Sequence, residues 1–287
     1  MIKIAEATLF VVATPIGNLG DITLRALEIL KGVDVILAED TRETGKLLAG
    51  LNIRNTQKLI SCHDFNESER IDQVKELLNV GQSIALVSDA GTPLISDPGY
   101  KIVNALRNEK FNIVPIPGVS AVITALSVAG LPSDNFTFRG FLAAKKTKRQ
   151  EQILAFSKLN STVVVYESVH RVSYLLADLV ELLPKNNIVV AKEITKQFEK
   201  FVSGKPCEVQ QFFIDNPDTV RGEFVVLIDC NGNDDDKASM AIDLRELLID
   251  LLEDLPLKKA VKLATKLTKG KKNEIYEIAL EIKNNGE

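Results

Sequence analysis

The chain has 287 residues, 45% hydrophobic and 26% charged, which suits a soluble globular protein of about two domains with room for large cores. Its 35 basic and 39 acidic residues leave a net charge of −4, which excludes a polycation and restricts any nucleic-acid contact to local basic patches. Three scattered cysteines, Cys62, Cys207 and Cys230, form no Cys-x-x-Cys pair, so neither a disulfide framework nor a cysteine metal site is expected, and a reducing cytoplasm is.

Met1-Ile-Lys-Ile-Ala-Glu lacks the apolar run of a signal peptide. Leu9 to Thr14 reads as a first strand, followed by the turn Pro15-Ile-Gly-Asn-Leu-Gly-Asp21 and a helical pattern at Leu24, Leu27 and Leu30. The turn has neither Gly-Lys-Ser/Thr nor Gly-x-Gly-x-x-Gly, so it supports neither a Walker A site nor a Rossmann fingerprint. Val33 to Leu37 is a second buried strand ending in Ala38-Glu-Asp-Thr-Arg42. Those charges either face a crevice at the strand's carboxyl end or form a helix N-cap with Arg42 in a surface pair. Lys58 to Cys62 is a third strand, and Asn66-Glu-Ser-Glu69 has the N-cap and N3 acid of a capping box.

The fourth strand, Ile84-Ala-Leu-Val87, is short and uncharged, which predicts burial on both faces of a parallel sheet. It runs into Ser88-Asp-Ala-Gly-Thr-Pro-Leu-Ile-Ser-Asp-Pro-Gly99, a loop longer than the usual βα connection of about two to six residues. Open α/β sheets bind ligands at that edge, so a ligand is expected here. A helix to about Asn108 and a strand at Asn112 to Ile116 follow. Pro117-Gly-Val-Ser-Ala121 then opens an apolar helix too short to span a membrane.

From Phe136 the pattern alternates like a half-buried strand, and Arg139, Lys145, Lys146, Lys148 and Arg149 follow without an acid, which suits either a solvated face or contact with a polyanion. Thr162 to Tyr166 is a strand leading into Glu167-Ser-Val-His-Arg171 and a helix at Val172, Leu175, Leu176 and Leu179. Strands at Ile188 to Ala191, Phe198 to Val202 and Glu223 to Ile228 predict some antiparallel pairing in the second half. An acidic linker from Asn231 to Asp236 leads to three amphipathic helical patterns, with lysines clustered around Thr268-Lys-Gly-Lys-Lys272. That cluster is either a phosphate contact of helix-turn-helix type or a solvated surface. The domains predicted are 1–116, 117–230 and 231–287.

Five ordered segments carry a resemblance. They are Pro15-Ile-Gly-Asn-Leu-Gly-Asp-Ile-Thr-Leu, Ala38-Glu-Asp-Thr-Arg, the Ser88 to Gly99 loop, Pro115-Ile-Pro-Gly-Val-Ser-Ala and Glu167-Ser-Val-His-Arg. Together they resemble the tetrapyrrole-methylase superfamily, and within it the branch that methylates small-subunit ribosomal RNA. The resemblance implies a two-lobed α/β fold with a small C-terminal helical domain and a cytoplasmic homodimer without metal. It also implies transfer of a methyl group from S-adenosylmethionine to a cytidine 2′-hydroxyl in the decoding region of 16S ribosomal RNA. Carried over by position, the cofactor pocket falls on Pro15, Ala90, Gly91, Thr92, Ile95, Ser120 and Ala121, with Glu167 and Ile194 as further matches.

A ribose hydroxyl is a poor nucleophile and gains from a base within hydrogen-bond reach. Asp40, Glu167, Lys192 and Glu193 end strands near the expected cleft and are the candidates, Lys192 with Glu193 first. Arg42 and Arg171 are expected to serve the cleft and RNA, with Arg139, Lys145, Lys146, Lys148, Arg149, Lys269, Lys271 and Lys272 as further RNA contacts. Two competing functions are methylation of a tetrapyrrole carbon, since fold does not fix function, and an RNA-binding module with a vestigial cofactor pocket.

Overall fold

Two five-stranded sheets organise the first 230 residues of the computed structural model, which describes residues 4–54, 56–231, 244–268 and 272–284. In the first sheet, strands β1 (Thr8–Val12), β2 (Val35–Ala38), β3 (Lys58–Ser61), β4 (Ile84–Val87) and β5 (Asn112–Ile116) lie in the order β3-β2-β4-β1-β5, all parallel. Every residue of β2 and β4 is buried, as their uncharged sequences require, because helices cover both faces. Helices α1 (Leu24–Gly32) and α2 (Thr41–Gly50) pack one face through Ile29, Leu30 and Leu48. Helices α3 (Glu67–Asn79) and α4 (Tyr100–Asn108) pack the other through Val74, Leu78, Ile102 and Leu106.

The connection from β1 runs towards β2, whereas that from β4 runs the opposite way to β5, so the adjacent strands β1 and β4 form the switch point at which such sheets open a crevice. The loops after these two strands are the ones singled out in the sequence. The first strand stops at Val12 rather than Thr14. Thr14 leaves the ladder and forms an isolated antiparallel bridge with Gly91.

Helix α5 (Ala121–Val128) packs Val122, Ala125 and Leu126 on one face of the second sheet. That sheet holds β6 (Phe136–Phe141), β7 (Thr162–Ser168), β8 (Ile188–Lys192), β9 (Lys200–Gly204) and β10 (Glu223–Asp229), in the order β6-β7-β10-β8-β9. Only β6 and β7 pair in parallel; the other neighbours are antiparallel, as the second half predicts. Its other face is covered by α6 (Lys146–Phe156), α7 (Val172–Leu182) and α8 (Pro206–Asp215). The sequence reading passes over α6, whose apolar Ile153 and Phe156 follow a run of charges, and over α8, and it starts β9 two residues early at Phe198.

The capping box expected at Asn66 is absent, because Asn66 turns back to accept from His63 N (2.8 Å) and to donate to Ser61 O (3.2 Å). The chain divides into two compact units, Met1–Cys230 and Asn231–Glu287. In the second, α9 (Leu244–Asp254), α10 (Leu257–Thr268) and α11 (Lys272–Asn284) bury Leu248, Val261, Ala264, Ile275 and Ala279 together. Most of the expected acidic linker, and Lys269 and Lys271, lie outside the described residues.

Candidate active site

The crevice is built by loops locked to one another through their backbones. Thr14 N donates to Gly91 O (2.8 Å) and Gly91 N to Thr14 O (3.1 Å), which ties the loop after β1 to the loop after β4. Gly91 takes φ +83°, a left-handed conformation that glycine alone adopts without steric cost. Thr92 Oγ1 donates to Val119 O (2.9 Å), fastening the same loop to the segment before α5. Leu94 and Ser96 also lie at positive φ (73° and 68°), so the loop is held in a strained path by these anchors.

Between this loop and the ends of β7 and β10 lies a cavity of about 430 Å³, within the usual range of about 300–1,000 Å³ for small-molecule sites. Ala90, Gly91, Thr92, Ile95, Ser120, Ala121 and Glu167 line it. Pro15 is buried beside the wall, where its neighbour Ile16 takes the lining position. Ile194 lies in the core under α5, among the residues that pack the second sheet.

The wall carries five carboxylates, Glu39, Asp89, Asp97, Glu167 and Glu223, and no lysine, arginine or histidine. Asp40 N donates to Asp89 Oδ1 (3.0 Å) and Asp89 N to Glu39 Oε2 (3.3 Å), so the ends of β2 and β4 hold two of these acids together. Burial, and then the neighbouring acids, raise the pKa of Glu39 and Asp89 despite these hydrogen bonds. Burial pushes Asp97 up to about 6, against a hydrogen bond with Ser88 and with the repulsion of Glu39 and Asp89 adding to it. Tyr166 is likewise raised to about 12 by burial and by Asp97.

Glu167, 2% exposed, accepts at Oε1 from Ser168 N (2.9 Å) and pairs there with Arg171 Nε at 3.2 Å, short of hydrogen-bond alignment. Its Oε2 is buried without a partner. A buried acceptor on a cavity wall is costly unless a ligand completes it.

The other candidates for the base are placed elsewhere. Asp40 caps α2 by accepting from Arg42 N (2.8 Å) and pairs with the exposed Arg42 guanidinium at 2.6 Å. That pair holds the Asp40 carboxyl well below the usual carboxylate range, which unsuits it to take a proton. Lys192 is buried at the end of β8 between Phe224 and Lys200 and is absent from the cavity wall. Glu193 faces Lys196 Nζ at 3.0 Å and accepts from Glu223 N (3.2 Å), so it braces the β10 end instead of lining the cavity.

The basic segment is also less free than its sequence reads. Arg149 is 4% exposed and pairs with buried Asp178 at 2.6 Å, so it belongs to the α6–α7 interface and cannot meet a phosphate. Lys146 lies 3.6 Å from Glu181, whereas Arg139, Lys145 and Lys148 are exposed. Arg171 is tied to Glu167 and donates from Nη2 to Leu142 O. Lys272 is exposed at the start of α11. Sequence reasoning left unassigned Glu39, Asp89, Asp97, Phe141 and Tyr166. Asp89 and Asp97 stand inside the central loop, which signals them, while Phe141 and Tyr166 are brought together only by the pairing of β6 with β7.

Among the described residues no cluster of three or more His, Cys, Asp or Glu could hold a metal ion, and no helix is long and apolar enough to cross a membrane.

Residues 8–209 match the family model described as Tetrapyrrole (Corrin/Porphyrin) Methylases, and residues 238–283 match the RsmI C-terminal HTH domain. The chain is 46% identical to a Ribosomal RNA small subunit methyltransferase I of Vibrio cholerae over 277 residues, 95% of this chain and 94% of that protein. A protein of the same name from Neisseria meningitidis serogroup A is 40% identical over 98% of this chain and 96% of its own. Among solved structures, a cobalt precorrin-4 methyltransferase aligns with a TM-score of 0.56 at 17% identity, covering 79% of this chain and 97% of that one. A uroporphyrin-III C-methyltransferase from Thermus thermophilus, complexed with S-adenyl homocysteine, aligns at 0.53 and 19%, covering 77% and 96%. At those identities the likeness is one of fold. With its two sheets, its switch-point loops and these matches along nearly its whole length, the chain belongs to the tetrapyrrole methylase family, on the branch of the small-subunit ribosomal RNA methyltransferases I.

Proposed function

We propose that this protein transfers the methyl group of S-adenosylmethionine to a ribose 2′-hydroxyl of a cytidine in the decoding region of 16S ribosomal RNA. The observation that carries the reading is the acid-lined cavity at the switch point, in a chain whose relatives bear the name of that RNA over almost their full length. S-adenosylmethionine is the cofactor of this family of methylases. The residues fit it. Five carboxylates with no cation suit a ligand whose reactive centre is a sulfonium, and the unpartnered Glu167 Oε2 offers an acceptor to its amino or hydroxyl groups. The backbone of Ala90 to Thr92 and the N-terminal residues of α5 supply the close-fitting wall.

When bound, the cofactor supplies an activated methyl group. The protein must hold the acceptor oxygen in line with it and remove a proton. Asp97 suits the second task, because burial raises its pKa to about 6 and so leaves it ionised yet basic near neutral pH. Glu167, fixed by Arg171 and Ser168 N, suits orientation.

RNA is held by cations outside this wall. Exposed Arg139 on the cavity strand β6, Lys145 and Lys148 just after it, and exposed Arg42 after β2 are those cations, whereas Arg171 stays engaged by Glu167 and Leu142 O. In the second unit Lys258, Lys262 and Lys272 line a groove of about 700 Å³ with Tyr276 and Glu277, which the reading assigns to phosphate contact. The reading includes a homodimer in the cytoplasm, and the three domains 1–116, 117–230 and 231–287 divide the labour between cofactor and RNA. Nucleoside mapping tests the acceptor atom. Alkali-resistant 2′-O-methylcytidine in RNA treated with the protein supports the reading, and methylation on a base overturns it.

A further inference from the structure

Phe141 ends β6 on the wall of the cavity, 55% exposed, in a T-shaped contact with Tyr166 at 5.7 Å between ring centroids. Tyr166 makes a second T-shaped contact with Phe138 at 4.9 Å. Strict alternation along a strand would send Phe138 and Phe141 to opposite faces. The register with β7 shifts between them, at Arg139 and Gly140, and Gly140 takes φ +59°. The bulge therefore turns Phe141 onto the same aromatic partner as Phe138, the kind of re-aiming that bulges perform beside binding sites. A Cβ at Gly140 would stand 3.1 Å from Ser96 Oγ, so the bulge is seated against the central loop.

This fixed and largely exposed ring lies where the charge changes sign. Inside, the wall has five carboxylates and no cation, which repels a phosphate backbone. Outside, on the same stretch of chain, Arg139, Lys145 and Lys148 are exposed. A nucleotide whose phosphates rest on those cations and whose ribose reaches Asp97 must find a surface for its base between them. We propose that Phe141 is a stacking platform for an unpaired nucleobase of the RNA substrate, and not a contact of the cofactor. Aromatic side chains serve single-stranded RNA in this way, each stacked base contributing enough that its loss weakens binding about fivefold to a hundredfold. The inference rests on the RNA reading given above.

The chain contains no tryptophan, so Phe141→Trp installs a single tryptophan at the platform, excited at wavelengths where the four tyrosines do not absorb. Its emission should be quenched by a short oligocytidylate and should not change with S-adenosylmethionine alone. In parallel, Phe141→Ala should raise KM for small ribosomal subunits about tenfold or more, with the calorimetric Kd for S-adenosylmethionine at the parent value, and Phe141→Tyr should restore KM. Quenching by S-adenosylmethionine, or a weakened cofactor Kd in Phe141→Ala, would assign the ring to the cofactor and overturn the proposal. An unchanged KM in Phe141→Ala would overturn it too, while methylation by the parent leaves the RNA reading intact. A parent protein that binds the cofactor but methylates no RNA overturns the RNA reading itself, and the platform with it.

Discussion

Glu67 accepts hydrogen bonds from the backbone of Gly99, at 3.1 Å, and of Lys101 and Ile102, at 2.6 and 3.2 Å, all through one carboxylate oxygen. Buried in the first turn of α3, it caps the neighbouring helix α4 and fixes the point where the cofactor loop returns to regular structure. Gly99 at φ +123° has no side chain to cap that helix itself. Glu67→Ala leaves three N–H groups without their acceptor and should cost about 1–3 kcal/mol in denaturant unfolding. It should also weaken S-adenosylmethionine binding by calorimetry. Glu67→Gln keeps an acceptor oxygen and should retain most of both. Equal cofactor affinity in the alanine variant would confine Glu67 to folding.

Asp97 gives a pH dependence with a definite sign. Its folded pKa of about 6 lies above the ordinary aspartate value of 3.8, so between the two the folded state holds a proton that the unfolded state has released. Its contribution to stability is complete below about 3.8 and is lost as pH rises through about 6. Asp97→Asn should therefore unfold at higher denaturant than the parent at pH 8, with the difference shrinking towards pH 4. Activity should move the other way. The parent's kcat should rise across pH 6 as the carboxylate forms, and the variant should lose roughly a hundredfold or more with that limb gone. A pH profile in Asp97→Asn matching the parent's would remove Asp97 from proton transfer.

Arg149 and the neighbouring lysines should separate cleanly. Breaking the buried Arg149–Asp178 pair strands a charge, so Arg149→Ala should destabilise the fold by about 3–5 kcal/mol. Its folded fraction should show the parent's salt dependence for RNA. Alanine at Lys145 and Lys148 together should leave stability within about 0.5 kcal/mol. Each lost phosphate contact should flatten the slope of log affinity against log salt by roughly 0.7–0.9.

Gly91 should tolerate no side chain. Valine there must adopt φ +83° beside Ile16 Cγ2, which a Cβ would approach to 3.4 Å, and it would pull apart the Thr14–Gly91 bridge. Gly91→Val should abolish cofactor binding while circular dichroism keeps the parent's helix and strand content. Unaltered calorimetric affinity would detach the loop from the cofactor.

The parallel sheet and its switch-point loop were legible because β2 and β4 are short, uncharged and followed by Gly- and Pro-containing segments, a local signal. The three helices of the second unit were legible for the same reason, since each carries its own apolar stripe. What stayed hidden depends on partners distant in sequence. Arg149 looks like one cation of a patch until α7 brings Asp178 against it, 29 residues on. Glu67 reads as an unassigned residue between the N-cap Asn66 and the N3 acid Glu69 until α4 presents its bare N-terminus. Phe141 reads as one more position of an alternating strand, because the bulge that re-aims it appears only in the register with β7. The terminal candidates Lys192 and Glu193 were reached by placing strand ends near a cleft, but strand ends do not say which way a side chain turns.

The most direct measurement is transfer of labelled methyl from S-adenosylmethionine to small ribosomal subunits, protein-free 16S RNA and a tetrapyrrole, offered side by side to the full-length protein. The account predicts label in the RNA or the subunits, at one ribose and lost in Gly91→Val, with none in the tetrapyrrole. Label in the tetrapyrrole alone, or no transfer to RNA by a protein that binds the cofactor, would contradict it.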